Sequence, residues 1–162
     1  MRLRRLLSVL PFASVGLLVG LLPASPPASA SQTVCQKLTD SLVASTLSLK
    51  VSGESTSTQG DVAVCWYKVG PNAHAVSVRV QTHDNAAGFA SDRKLAGTYG
   101  ENPKTDTHFG SYPAFSTSLG APSYGVTYSV TVLKSTTELQ VGGAGTTLAK
   151  IEALTHRALT LL

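Results

Sequence analysis

The residues able to do chemistry in this chain are few: four histidines, nine acids and two cysteines in 162 positions. His74, His83, His108 and His156 are dispersed, and only two stand beside an acid, in His83-Asp84 and Asp106-Thr107-His108. Acid–histidine couples are the raw material of general base catalysis and of metal ligation. Both couples here fall at a helix cap or in a loop, where capping and solvated roles account for them. A nucleophilic triad would also need an activated Ser or Cys, and no Gly-x-Ser-x-Gly elbow is present. Zinc-site spacings such as His-x-x-x-His or Cys-x-x-Cys are missing as well, so neither a metal nor a cofactor is expected. Gly142-Gly143-Ala144-Gly145-Thr146-Thr147 has the look of a phosphate cradle, since helix N-termini attract anions. It lacks the P-loop lysine and the G-x-G-x-x-G pattern, and reads instead as a strand end followed by a Thr cap. The nine acids offer no evident facing pair for glycoside hydrolysis. The expectation is therefore a protein that is not an enzyme. The alternative is a small hydrolase whose site is assembled from distant loops, from His83 or His108 with Asp84 or Asp106.

The scaffold that must hold these positions is legible in its periodicities. Val62–Val69 contains the only tryptophan, Trp66, and the second cysteine, Cys65. It is apolar on both faces, as a central strand covered on both sides would be. Thr39 is a good N-cap for a helix over Asp40–Leu49, whose Leu42, Val43 and Leu47 recur at helical spacing. Between helix and strand, Val51–Gly60 is a Gly/Ser/Thr-rich run without periodicity and is read as a polar loop. His74–Thr82 alternates cleanly, with Val76, Val78 and Val80 inward. A second helix is expected over Asp84–Ala96 with Asp84 as its cap, weakened by Gly88. Gly97–Gly110 reads as loop. Strands follow over Tyr112–Leu119, Tyr124–Lys134 and Glu138–Val141, the second with Val126, Tyr128, Val130 and Val132 inward. Thr146 or Thr147 then caps a last helix with the stripe Leu148, Ile151, Leu154, Ala158 and Leu161. The expected fold is α+β, a two-layer domain: a mainly antiparallel five-stranded sheet with three helices packed on one face, in the order α-β-β-α-β-β-β-α.

The amino terminus reads as a secretory leader. Met1-Arg2-Leu3-Arg4-Arg5 is a basic n-region, Leu6–Leu22 an apolar h-region interrupted by Pro11, and Ala28 and Ala30 form an A-x-A cleavage site. No polar residue precedes Arg4-Arg5, which favours the general secretion route over twin-arginine export. Cys35 follows Gln32-Thr33-Val34 rather than a lipidation box. The expectation is a signal peptide over 1–30, a single exported α+β domain over 31–162, and a protein secreted to the extracellular space, off the membrane once cleaved. Taking 30 residues from 162 leaves 132, the size of one domain. The leader carries Arg2, Arg4 and Arg5, three of the 13 Lys/Arg, so ten basic residues face nine acidic ones and the net charge falls to about +1. A surface so nearly neutral lacks the cationic face that nucleic acid requires. Two cysteines in an exported chain argue for one disulfide, Cys35–Cys65, closing a 30-residue separation.

With no assembled catalytic site, function falls to surfaces. Ser77, Arg79, Gln81, Thr127, Ser129 and Thr131, with Glu138 and Gln140, would line the outward face of the sheet as a ligand surface for a protein, a glycan or a small molecule. Tyr99, Phe109, Tyr112, Phe115 and Tyr124 lie near loops and serve as core or loop anchors, or as an aromatic contact patch. A third reading, a secreted protease inhibitor, would present Val51–Gly60 as a rigid loop.

Cys35-x-x-Leu38-Thr39-x-x-Leu42-Val43-x-x-x-Leu47, then Val64-Cys65-Trp66, then Phe109-Gly110-Ser111-Tyr112-Pro113-Ala114-Phe115 and a C-terminal amphipathic helix, resembles a group of small exported actinobacterial domains of unknown function. Their members are mostly lipoproteins or outer parts of sensor proteins. The resemblance covers nearly all of residues 31–162 and implies fold rather than chemistry, so it transfers no catalytic residues. The unlipidated leader, the disulfide-stapled α+β fold and the absence of an assembled site lead to the expectation of a secreted, non-catalytic binding or sensor-like module of unknown ligand.

Overall fold

The computed structural model describes residues 30–69, 74–121 and 125–162. The expected leader, but for Ala30, lies outside them, as does Tyr124. The elements run α1 (Ala30–Lys37), α2 (Asp40–Leu47), β1 (Val51–Gln59), β2 (Val62–Val69), β3 (His74–Thr82), α3 (Ala86–Thr98), β4 (Lys104–Thr105), β5 (Ala114–Ala121), β6 (Gly125–Lys134), β7 (Thr137–Ala144) and α4 (Leu148–Leu159). The result is an α+β domain with a seven-stranded, wholly antiparallel sheet in the order β1-β2-β3-β7-β6-β5-β4. Two meanders, β1–β3 and β4–β7, meet where β3 pairs with β7. Among the described residues no helix is long and apolar enough to cross a membrane.

Alternation along the strands divides the side chains between two faces. On the inner face, rows such as Cys65–Val78–Val141–Val130 and Ala63–Val80–Leu139–Val132–Ala114 run across the sheet. All of these residues are buried, together with Val43 and Leu47 of α2 and Ile151, Leu154 and Ala158 of α4. The disulfide Cys35–Cys65, with its Cα atoms 5.5 Å apart, fastens α1 to β2 on this face. Beside it the Tyr67 hydroxyl donates to the Leu38 carbonyl, closing the turn between α1 and α2.

The expected five strands, three helices and single helical layer are corrected in three respects. Val51–Gly60 is not a loop. Residues 51–59 form an edge strand, turned into β2 by Gly60-Asp61, with Gly60 at φ +56° as the first residue of a two-residue hairpin turn requires. The strand is nearly all polar and mostly exposed, so no apolar alternation marks it. The residues before Thr39 form a helix of their own, α1, rather than a lead-in. The two residues of β4 add the seventh strand at the opposite edge.

The third correction matters most for function: α3 packs on the outer face, opposite α1, α2 and α4. Its Phe89 meets Phe115 of β5 with ring centroids 5.2 Å apart, forming a separate small core with Leu133 and Ala96. Phe115 and Leu133 alternate with Ala114 and Val132, which face the main core. Two apolar side chains exposed on the second face thus demand a cover, and α3 supplies it. Its cap is Asn85, one residue after the expected Asp84; the Asn85 side chain accepts from the N–H groups of Ala87 and Gly88.

Candidate functional site

The outer face of the sheet carries every residue expected of a ligand surface. Cross-strand pairing aligns Arg79, Gln140, Thr131 and Phe115 in one row, Ser77, Gly142, Ser129 and Thr117 in the next, and Gln81, Glu138 and Leu133 in a third. Thr127 lies at the far end, paired with Ala144 and Leu119. Helix α3 does not lie flat on this face. Anchored at Phe89, it leaves a cavity of about 280 Å³ between itself and the sheet. Arg79, Thr131, Glu138 and Gln140 form the floor, Asp92, Leu95, Ala96 and Tyr99 the α3 wall, and Phe115 and Glu101 the end.

Of the six expected positions, Arg79 and Thr131 line the cavity. Gln81 stands behind Arg79, whose guanidinium donates to the Gln81 side-chain oxygen. Ser129 shares a 2.8 Å hydrogen bond with the Thr117 hydroxyl, which also lies 3.1 Å from Glu101 Oε2, so this network shapes the cavity rim. Ser77 flanks the same row across Gly142, outside the cavity. Thr127 is not brought to it. Glu138 and Gln140 were recognisable as outward-facing. Asp92 and Leu95 were not, because a helix assigned to the inner layer gives no reason to look for them there. Tyr99 was legible only as a member of an aromatic patch, and Glu101, in the loop after α3, carried no signal.

Glu138 is the centre of the cavity's chemistry. Its side chain is 1% exposed, and Oε1 accepts from Arg79 Nη1 at 2.9 Å. Oε2 is buried with no partner in ordinary hydrogen-bond geometry, while the Asp84 carboxyl is a side-chain hydrogen-bonding neighbour of Glu138. Burial, followed by the nearby charge of Asp92 and the neighbouring Asp84 carboxyl, pushes Glu138 up to about 7, against the pull of Arg79. Beside it Thr131, 1% exposed, also has a buried hydroxyl without a partner. Buried polar atoms are almost always paired, so two under-satisfied residues lining one cavity mark it as a polar site.

A second cluster lies elsewhere. His108 Nδ1 is 3.0 Å from Asp106 Oδ1 and 3.4 Å from Oε1 of Glu152 on α4. Asp106 and His108 were legible as a close pair, whereas Glu152, far along the chain, carried no signal linking it to them. The other couple does not pair: the His83 ring turns to Asp61 at 3.4 Å, and Asp84 Oδ1 accepts from the Asn85 N–H. The aromatic residues do not make one patch. Phe109 is buried and stacks on His156 with centroids 4.4 Å apart, Phe115 is buried under α3, and Tyr99 and Tyr112 are exposed. Comparison with protein-family models, with curated proteins and with solved structures finds no match to this chain.

Proposed function

We propose that this chain is an exported, non-catalytic binding or sensor-like module that takes a small amine-bearing organic molecule in the cavity between α3 and the sheet. The observation that carries the reading is a buried carboxyl, Glu138, beside the buried Thr131 on the floor of a cavity. An ammonium group in the cavity gives Glu138 a positive partner for the charge that burial disfavours. Asp92 and Glu101 add negative charge to the walls, with Arg79 the one cation among the lining residues. Leu95, Tyr99 and Phe115 provide apolar surface for the body of the ligand. The leader-like amino terminus and the disulfide support export, and the resemblance to exported actinobacterial domains fits the same reading.

The test is calorimetry and amide NMR with matched probes, phenethylamine and hexylamine against phenylethanol and hexanol. The amines are expected to bind, shifting the resonances of Thr131 and Glu138. Glu138→Gln should weaken amine binding about tenfold, the scale of one charge-assisted hydrogen bond. Amines that move no cavity resonance, or bind Glu138→Gln as well as wild type, would refute the reading.

A further inference from the structure

We propose that Asp106, His108 and Glu152 form a three-ligand site for a first-row divalent metal ion, with zinc the best match. The site is independent of the cavity under α3. One donor atom from each residue lies within 4.8 Å of the other two. Ligand atoms about 2.1 Å from a common ion stand about 3.0 Å apart at right angles and about 3.4 Å apart at the tetrahedral angle. His108 Nδ1 shows these separations, 3.0 Å to Asp106 Oδ1 and 3.4 Å to Glu152 Oε1.

Hydrogen bonding alone leaves the cluster underserved. A single Nδ1–H cannot be well aligned to two carboxylates at once, and Nδ1 is the atom on which both converge. The Asp106 side chain is 2% exposed, and its Oδ2 is buried with no hydrogen-bond partner at all. Among the described residues no lysine or arginine forms an ion pair with Asp106 or Glu152. Two carboxylates gathered on one imidazole without a fixed cation are the donor set that a divalent ion satisfies.

The ligands are also held before any ion arrives. Asp106 is fixed by its N–H to the Ala114 carbonyl, and the His108 N–H donates to Asp106 Oδ1 at 3.0 Å. Phe109, next in the chain, is buried against His156, one helical turn beyond Glu152 on α4. An imidazole with two carboxylate oxygens suits zinc or manganese better than calcium or magnesium. Because His108 is 66% exposed, an ion held by three protein donors would keep a position for water or a ligand oxygen. The ion would clip the loop after β4 to the last helix.

The experiment titrates ZnCl2, and separately MnCl2, into the chelator-treated protein by calorimetry, with the histidine side-chain 1H–15N spectrum read in parallel. One ion per chain is expected, with the His108 Nδ1 resonance the one that moves. His108→Ala and Glu152→Gln should each weaken binding by at least about tenfold, because even residues that only orient metal ligands are worth that much. His83→Ala, which removes the other exposed histidine beside an acid, should change nothing. His108 is exposed and Gln is isosteric with Glu, so both variants should fold, and unchanged melting without metal checks this. Absence of stoichiometric zinc or manganese binding to wild type would overturn the proposal. So would binding that survives both variants or moves only His83.

Discussion

Glu138 gives the protein a pH signature that belongs to one side chain. Its carboxyl titrates near 7 in the fold, against an ordinary value of 4.5. Between those limits the folded state holds a proton that the unfolded chain has released, so stability falls as pH rises through this window and is flat above it. The full difference is on the order of 3 kcal/mol. Glu138→Gln should abolish that slope. The variant should melt like wild type near pH 4.5 and above it at pH 8, because a neutral amide escapes the cost of burying charge. Melting temperatures of both proteins from pH 4 to 9 test this, and parallel profiles would exclude it. The position of Glu138 on the outer face follows from strand alternation after Ser135-Thr136. Its altered acidity does not, since Asp92 reaches it through the placement of α3 and Asp84 through the hydrogen bond from its N–H to the Thr136 carbonyl. The same limit hid Glu152: Asp-x-His is a local pattern, whereas its third member depends on how α4 crosses the sheet.

Helix α3 shows how a local preference is overruled by one packing contact. Gly88 lowers helix propensity by about 1 kcal/mol relative to Ala, yet a Cβ there would sit 2.1 Å from Asp84 Oδ1. Asp84 is buried and its Oδ1 accepts from the Asn85 N–H, so it has little room to retreat. Gly97, in the same helix, would place its Cβ 3.7 Å from Pro103, an ordinary contact. Gly88→Ala should therefore destabilise the fold by about 1–3 kcal/mol. Gly97→Ala should leave it unchanged or raise it by up to about 1 kcal/mol. Urea melts of the pair decide the matter, and two substitutions shifting the midpoint in the same direction would contradict the packing account. Legibility varied by element for a related reason. Strands β3 and β6 and helix α4 bury one side against the core, so their apolar periodicities place them. Strand β2 reads as covered on both sides, yet its outer-face Trp66 is 45% exposed, and β7 runs on through Gly142-Gly143-Ala144, where the glycines suggest a strand end. Strand β1 buries almost nothing, and only the Gly60-Asp61 pair between two Thr- and Val-bearing runs marks it as half of a hairpin. The face on which α3 packs was hidden because its contact rests on Phe89 and Ala96 rather than on a full apolar stripe.

At the scale of the molecule, the two faces of the sheet differ in how much apolar surface they bury. The inner face holds one continuous apolar cluster reaching from α1 to α4, whereas the outer face has a small core at one end, polar rows across its middle, and Val62, Val64 and the exposed Trp66 on β2. The amino-terminal part of the large cluster depends on a covalent tie. Cys35 and Cys65 are separated by 30 positions, and α1 is eight residues long, too short to be stable by itself. Cross-linking a loop of this length restricts the unfolded chain by about 3–4 kcal/mol on the chain-entropy argument. The Cys35→Ala/Cys65→Ala double variant should lose about that much in denaturant melts, and reductant should lower the wild-type midpoint to match it. Because the tie lies on the inner face, the cavity beneath α3 should retain its amine affinity in the surviving folded fraction, and the Asp106–His108–Glu152 cluster its zinc. A double variant as stable as wild type would show that the helices hold the core without the bond. Equal loss of amine binding and of stability would show that the two faces are not separable.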